Sequence, residues 1–412
     1  MRICVVNEFF KPHVTGGTEI FLEHLIDYLI SKGFEIDLIT SKYKNEKEFE
    51  KKGKLTLYRV KSSPLNIGHF KQLPGVTLPF NFFNFTLRKK MKDIMKKSDC
   101  VHINNLYHLS FAPIQAANEL KKIVFLDVHD YWPICFKKNL FFLDKTFCKN
   151  IQPYKCLKCL MSTNAVSTIF YPILNPLVIS EFFLKDMSLK FDKLITHSKF
   201  MEGIMKAELK VKPKIISYPY IGGIFAERKT IDDKINLLFI GRVEYMKGAH
   251  FLVPIAKILK DKGINYKINV IGSGNLIEKL KIESKKEDLK IEFHGFVEHM
   301  SQKFIEIMKE SHILLVPSLW YEPFGIVVLE AMAFGIPIIA SNRGGLKEIV
   351  SENNVGIITS LNPKIIADKI EFLIKNIKLF KKFSFNGLKY IKKYNPQDIF
   401  EKYEKIFEKY EK

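Results

Sequence analysis

A chain of 412 residues, 47% of them apolar, is too long for one hydrophobic core and too apolar for global disorder, so two domains of ordinary size are expected. The net charge of +21 rests on 65 basic residues, of which six are arginine (Arg2, Arg59, Arg88, Arg228, Arg242 and Arg343). A lysine excess spread along the whole chain reads as compositional bias. It argues against a specific nucleic-acid surface, which favours the planar arginine fork, and leaves room for a phosphorylated substrate or a membrane surface.

Strands are predicted at 2–8, 35–40, 55–60, 100–104, 122–128, 193–197 and 214–218, and helices near 18–31, 80–97, 109–120, 167–188 and 199–208. Met1 to Val6 reads as the first strand, not as a secretory leader. The longest apolar stretch, Thr168 to Leu184, contains Pro172, Pro176 and Glu181 and is short for a bilayer span, so a cytosolic protein with reduced thiols is expected. Proline and glycines meet at Tyr218 to Ile224, a polar run follows to Lys234, and the alternation restarts. Strands are then predicted at 235–240, 266–271, 290–294, 312–317, 337–340 and 356–358, with helices at about 249–261, 275–286, 300–309 and 325–334. The predicted fold class is α/β: two Rossmann-like, doubly wound domains facing a cleft. The first covers 1–220, with a cysteine-rich insert at 133–162; the second covers 221–395. A charged amphipathic helix at 396–412, with Ile399, Phe400, Tyr403, Ile406 and Phe407 on one side, ends the chain.

Residues 322–330, Glu-Pro-Phe-Gly-Ile-Val-Val-Leu-Glu, carry the most chemistry. They follow the apolar strand from His312 to Ser318 and open a helix that stops at Gly335, with Pro337 just beyond. Glu322 therefore falls in a strand-to-helix loop and Glu330 about two turns into the helix, at the sheet edge where open α/β folds bind ligands. The first strand of the second domain runs into Gly241-Arg242, and Lys247-Gly248 precedes the next helix. Glycines that admit close backbone and two cations suit a diphosphate; a solvated loop with incidental charges is the alternative. Ile271-Gly-Ser-Gly274 lacks the last glycine of a dinucleotide fingerprint. In the first domain, Gly16-Gly17-Thr18-Glu19 opens a helix, where Thr18 would equally serve as a plain helix start. His129, in Val128-His129-Asp130-Tyr131-Trp132, ends a strand, where either a ligand contact or a structural histidine fits.

These motifs, with Gly344-Gly345-Leu-Lys-Glu348, resemble the family 4 retaining glycosyltransferases of the GT-B fold over essentially the whole chain. The resemblance implies that Arg242 and Lys247 grip a nucleotide diphosphate and that Glu330 binds the donor ribose hydroxyls. It places backbone around Phe324, Gly325 and Ile326 on sugar and phosphate, Glu322 near the donor sugar, and Phe296-Val297 along the base. His129 would contact the sugar, Gly17 would approach the phosphates, and the last helix would pack back on the first domain. Glu322, His129, Arg242 and Lys247 are the expected catalytic residues. The expected reaction moves a sugar from a UDP- or GDP-sugar to a hydroxyl of a surface glycan or lipid-linked acceptor, with retention, in the cytoplasm or peripherally on the inner face of the membrane. A storage-glucan or sucrose-type synthase of the same fold is the nearest alternative; a basic nucleic-acid-binding protein is a more remote one. No Asp-x-Asp motif occurs, so no metal is expected in catalysis.

Two further features stand apart. Cys135, Cys148, Cys156 and Cys159 follow a C-x12-C-x7-C-x2-C spacing, for which a structural zinc and a set of small buried residues are the two readings. Between His69 and Lys97, aromatics precede a basic helix face, suiting either an anionic membrane or a core-packed helix with a solvated lysine face.

Overall fold

A computed structural model describes residues 1–13, 16–43, 45–61, 84–106, 109–135, 137–142, 146–148, 151–161, 189–226, 231 and 233–410. The helix predicted at 167–188, the apolar stretch from Thr168 to Leu184 and most of the aromatic segment before Asn84 lie outside the described residues. The chain forms two compact units. One contains Met1–His197, Glu202–Ile216 and Gln397–Lys412; the other contains Ser198–Met201 and Ser217–Pro396.

The first unit is built on β1 (Arg2–Asn7), β2 (Glu35–Ser41), β3 (Phe49–Lys52), β4 (Leu55–Val60), β5 (Cys100–Asn105), β6 (Ile123–Asp127), β7 (Phe141–Phe142), β8 (Thr146–Phe147), β9 (Lys193–Thr196) and β10 (Lys214–Ile215). Eight of these form a sheet in the order β10-β9-β6-β5-β1-β2-β4-β3, parallel throughout except for the β3–β4 pair. Runs such as Ile3-Cys-Val-Val6 are buried on both faces, as strands covered by helices on each side must be. Cys4 and Cys100 belong to this core. The sequence pattern missed β3, and the reason is plain: its four residues, Phe-Glu-Lys-Lys, are all exposed, so an edge strand formed there without an apolar signal. The short hairpin of β7 and β8 was missed as well. β10 stops at Ile215, short of the predicted 218, ahead of Pro219, which disfavours continuation of the ladder.

The helix expected at 80–97 is observed as Phe85–Met95, with the Asn84 side chain accepting the Leu87 N–H at 3.0 Å as its cap. Leu87, Met91 and Met95 face the core, and Arg88 and Lys92 pair with Glu119 at 3.2 and 2.8 Å. Among the described residues no helix is long and apolar enough to cross a membrane.

The second unit has β11 (Ile235–Ile240), β12 (Tyr266–Ile271), β13 (Ile291–Gly295), β14 (Ile313–Val316), β15 (Ile338–Ser341) and β16 (Gly356–Thr359). They form one parallel sheet in the order β13-β12-β11-β14-β15-β16. The chain winds outward from β11 through β12 to β13, then crosses back to β14 and winds the other way. Strand order therefore reverses between β11 and β14, and the loops leaving these two strands flank the switch point. Helices Gly345–Glu352, Pro363–Lys375 and Ile377–Tyr390 were absent from the sequence prediction. The second had readable start signals: Pro363 in its first turn and an Asn362 side chain accepting N–H groups of Lys364 and Ile365 at 2.9 and 3.3 Å.

The terminal helix Pro396–Glu408 buries Ile399, Phe400, Tyr403, Ile406 and Phe407. Phe400 packs on Phe21 and Tyr28, and Phe407 meets Phe125 edge-on at 5.1 Å. The Tyr403 hydroxyl donates to the Asp127 carboxylate at 2.8 Å in the fully buried interior. A hydrogen bond to a buried ionised group contributes about 1.5–3 kcal/mol. Tyr403→Phe should destabilise the first unit by about that amount. In a Trp320→Phe background Trp132 is the remaining tryptophan, and its fluorescence during urea unfolding reports the loss; an unchanged midpoint would count against this role.

Candidate functional site

Six loops, one after each parallel strand, leave the C-terminal edge of the second sheet, and glycine decides how closely several of them pack. After β11 the chain runs through Gly241 and Arg242 into a single 3-10 turn, Tyr245–Lys247, closed by Gly248 in the left-handed region at φ 76°. A Cβ at Gly248 would lie 1.8 Å from the Pro317 carbonyl oxygen, so only glycine lets this turn rest on the loop after β14. Backbone N–H groups of Leu319 and Trp320 donate to the Met246 carbonyl at 2.9 and 3.0 Å, locking the two loops together. The glycines of Ile271-Gly-Ser-Gly274 have the same use. A Cβ on Gly272 would sit 2.0 Å from the Gly241 oxygen, and one on Gly274 2.4 Å from the Val243 oxygen. They serve close backbone packing against the β11 loop.

These approaches place Lys247 beside Glu322. The Lys247 ammonium donates to Oε1 of Glu322 at 2.7 Å and lies 4.4 Å above the Trp320 ring. The Ser318 hydroxyl donates to the same oxygen at 3.0 Å, and Ser341 donates to the Ser318 carbonyl at 2.7 Å. From the β15 loop, the Gly345 N–H donates to the Glu322 carbonyl at 2.7 Å; a side chain at Gly344 would strike that carbonyl. Glu322 is thus held through both its backbone and its carboxylate. Arg242 is more than half exposed and pairs with Glu244 at 2.9 Å. Arg343 stands over the Tyr321 ring and donates to its hydroxyl.

Helix Ile326–Ala333 begins after Gly325, whose φ of 105° excludes it from the helix. Glu330 consequently lies little more than one turn from the helix start, not the two turns expected. Its Oε1 is 3.1 Å from Nε2 of His299, in the loop after β13. Burial alone would lower the His299 imidazole, but the adjoining carboxylate raises it on balance. Phe324 is buried and packs on Tyr218 and Tyr394. Val297 is half-buried, whereas Phe296 beside it is 80% exposed.

In the first unit, Gly17 opens helix Gly17–Ser31, and the Glu19 carboxylate, not Thr18, receives the Gly16 N–H, at 2.7 Å. His129 is buried. Its Nε2 is 2.9 Å from the Asn104 side-chain oxygen and 3.8 Å from Asp127, and its ring stacks on His197 at 4.5 Å. Asp127 also faces His197 at 3.1 Å and His102 at 3.3 Å. Burial would raise the Asp127 carboxyl, yet the surrounding imidazoles hold it well below the usual carboxylate range. Burial pushes His129 down to about 3 against the pull of Asp127, so His129 is neutral. Pattern reading missed His102, Asp127 and His197. The available signal was a polar residue inside an otherwise apolar buried strand.

Asp127, His129 and His197 are, among the described residues, the one group of three or more ligand-type side chains whose atoms lie within 4.8 Å of one another. Each already faces a protein partner, which accounts for the cluster without an ion. The four cysteines are not such a group. Cys148 is near enough to Cys135 and Cys159 for their charges to raise its thiol, after burial, while Cys159 directs its sulfur to the Phe141 carbonyl at 3.7 Å.

Residues 224–390 match the model of the glycosyl transferases group 1, and residues 15–218 match that of glycosyltransferase family 4. The chain is 27% identical to an uncharacterized glycosyltransferase of Methanocaldococcus jannaschii, over 98% of this chain and 94% of that protein. A sucrose-phosphate synthase structure from Thermosynechococcus elongatus shares the fold at a TM-score of 0.73 and 18% identity, covering 99% of this chain and 98% of that one. The Anabaena protein HepE, solved in complex with UDP-glucose, does so at 0.65 and 15% identity, over 99% and 100% of the two chains.

His129 supplies a pH test. The unfolded chain takes up a proton below about pH 6.5 that the folded imidazole, at about 3, refuses, so this contribution to stability is present above 6.5 and is lost as pH falls toward 3. Urea unfolding between pH 6.5 and 4 should show a steeper loss for the wild type than for His129→Asn; parallel profiles would contradict a neutral, buried His129.

Proposed function

The chain belongs to the group 1 and family 4 glycosyltransferases, and from that premise we propose that its second unit holds the diphosphate of a nucleotide sugar and that the sugar is transferred with retention. The observation that carries this reading is the Lys247–Glu322 contact, set by the loops after β11 and β14 at the switch point. In this reading Lys247, held against Glu322 in the loop that leads into the helix, and Arg242 on the loop after β11 supply positive charge for a departing diphosphate. UDP-glucose in the HepE structure supports a nucleotide-sugar donor of this class.

In the proposed reaction the acceptor hydroxyl oxygen forms the new bond to the anomeric carbon. The bond from that carbon to the diphosphate oxygen breaks with its electron pair going to the phosphate. The hydroxyl proton passes to the same phosphate oxygen on the face where attack occurs. Lys247 and Arg242 neutralise the growing negative charge, so no divalent ion is needed for this task. Glu322 orients the sugar or balances positive charge on it, and Glu330 receives the ribose hydroxyls. The resemblance assigns Gly17 to the phosphates and His129 to the sugar. Lys247→Ala and Arg242→Ala should each slow transfer by on the order of a hundredfold. They should also shrink the thermal stabilisation that the matching diphosphate among UDP, GDP and ADP gives the wild type. Wild-type turnover in both variants would overturn the assignment.

The proposed acceptor is a surface glycan or lipid-linked sugar, reached at the inner face of the membrane. The described part of the basic helix supports this: Phe85 is 62% exposed with the Arg88 guanidinium over its ring, and Lys89, Lys90, Lys96 and Lys97 are exposed beside it. The protein should float with vesicles rich in anionic lipid and be released by salt; no retention at low salt would retire the membrane reading.

A further inference from the structure

The two carboxylate oxygens of Glu330 are in different situations. Glu330 is 8% exposed; Oε1 faces Nε2 of His299 at 3.1 Å, while Oε2 is buried with no hydrogen-bond partner. A buried acceptor without a donor is costly, and native folds keep one where something else supplies the proton. His299 is itself firmly placed. Its ring packs at 5.4 Å on Phe304 of helix Gln302–Glu310. The next residue, Met300, is in the left-handed region at φ 59°, with its terminal methyl against Gly222, where a Cβ would come within 2.3 Å. Neither the chain's motifs nor the charge-neutralising role of Arg242 and Lys247 involves this histidine.

We infer that His299 is a positioning residue for the donor: it ties Oε1 of Glu330 and so fixes the carboxylate that the donor reading gives to the vicinal hydroxyls of the ribose. The inference rests on the donor reading of Glu330 and adds to it the residue that makes the carboxylate rigid. A carboxylate free to turn must lose that freedom when it binds a diol. One whose first oxygen is already tied has lost it on folding, so the carboxylate binds at less entropic cost. The consequence is selectivity for ribose over sugars that lack both hydroxyls.

Calorimetric titration of the intact protein with UDP, GDP and ADP identifies the diphosphate bound, and its 2′,3′-dideoxy form serves as the second probe. His299→Ala should weaken the ribonucleotide by about tenfold, the scale of one hydrogen bond to a charged group, and leave the dideoxy form at wild-type affinity. His299→Gln, which keeps a donor, should recover most of the loss. Equal weakening of both probes would make His299 a fold residue only, and unchanged ribonucleotide affinity would also overturn the clamp. If Glu330→Ala abolishes a wild-type preference for the ribonucleotide while both His299 variants keep it, the clamp falls and the donor reading stands. If no diphosphate binds, or Glu330→Ala binds as the wild type does, the donor reading falls and takes the clamp with it.

Discussion

The second unit depends on backbone approaches that leave no room for a side chain. Gly248 lies on the Pro317 carbonyl, Gly272 on that of Gly241, Gly274 on that of Val243 and Gly344 on that of Glu322. At each, even a methyl group would overlap a backbone oxygen, so the loops would have to separate. Parallel strands β11 and β14 bring their following loops side by side, but strand pairing alone sets them at sheet spacing. The glycines close the remaining gap, and the ammonium of Lys247 then reaches the carboxylate of Glu322. Charge placement at this edge is a product of missing side chains as much as of the charged residues present.

Charged groups are handled in opposite ways in the two units. Asp127 is sealed among His102, His129, His197 and Tyr403, so its charge is balanced within the fold and serves to hold strands and the terminal helix together. Such a cluster is expensive to break, because removing one partner strands a buried ion. At the edge of the second sheet the charges are covered to different degrees: Arg242 is more than half exposed, Lys247 is partly exposed, Glu322 is buried, and Glu330 keeps one buried oxygen unsatisfied. Groups left incompletely paired by the fold can be completed by a ligand; the Asp127 cluster is instead enclosed in the interior of its unit. His129 connects the two behaviours, since it stands at a strand end and is nonetheless tied to Asn104 and neutral.

What could be read before folding was read from residues whose meaning is local. The apolar runs of β11, β12 and β14 announce buried parallel strands because most of their residues are driven inward. The helix start at Ile326 follows Gly325, whose φ of 105° side chains resist. β3 was invisible for the converse reason: its four residues are all exposed, so its backbone pairing with β4 leaves no buried apolar pattern in the sequence. Helix Gly345–Glu352 was overlooked because the glycines before it read as loop, although one of them packs the loop against Glu322.

Sequence by itself determined the alternation of strand and helix, the α/β class, the loops bearing Arg242, Lys247 and Glu322, and the helix bearing Glu330, since these follow from periodicity and from residues placed at strand ends. Tertiary structure alone decided which partners those residues have. Lys247 and Glu322 are 75 residues apart, Tyr403 and Asp127 are 276 apart, and His299 meets Glu330 from a different strand of the sheet. Contacts between elements distant in the chain depend on the order in which strands pair and on how closely their loops approach. Those are properties of the folded sheet, and no local pattern of residues encodes them.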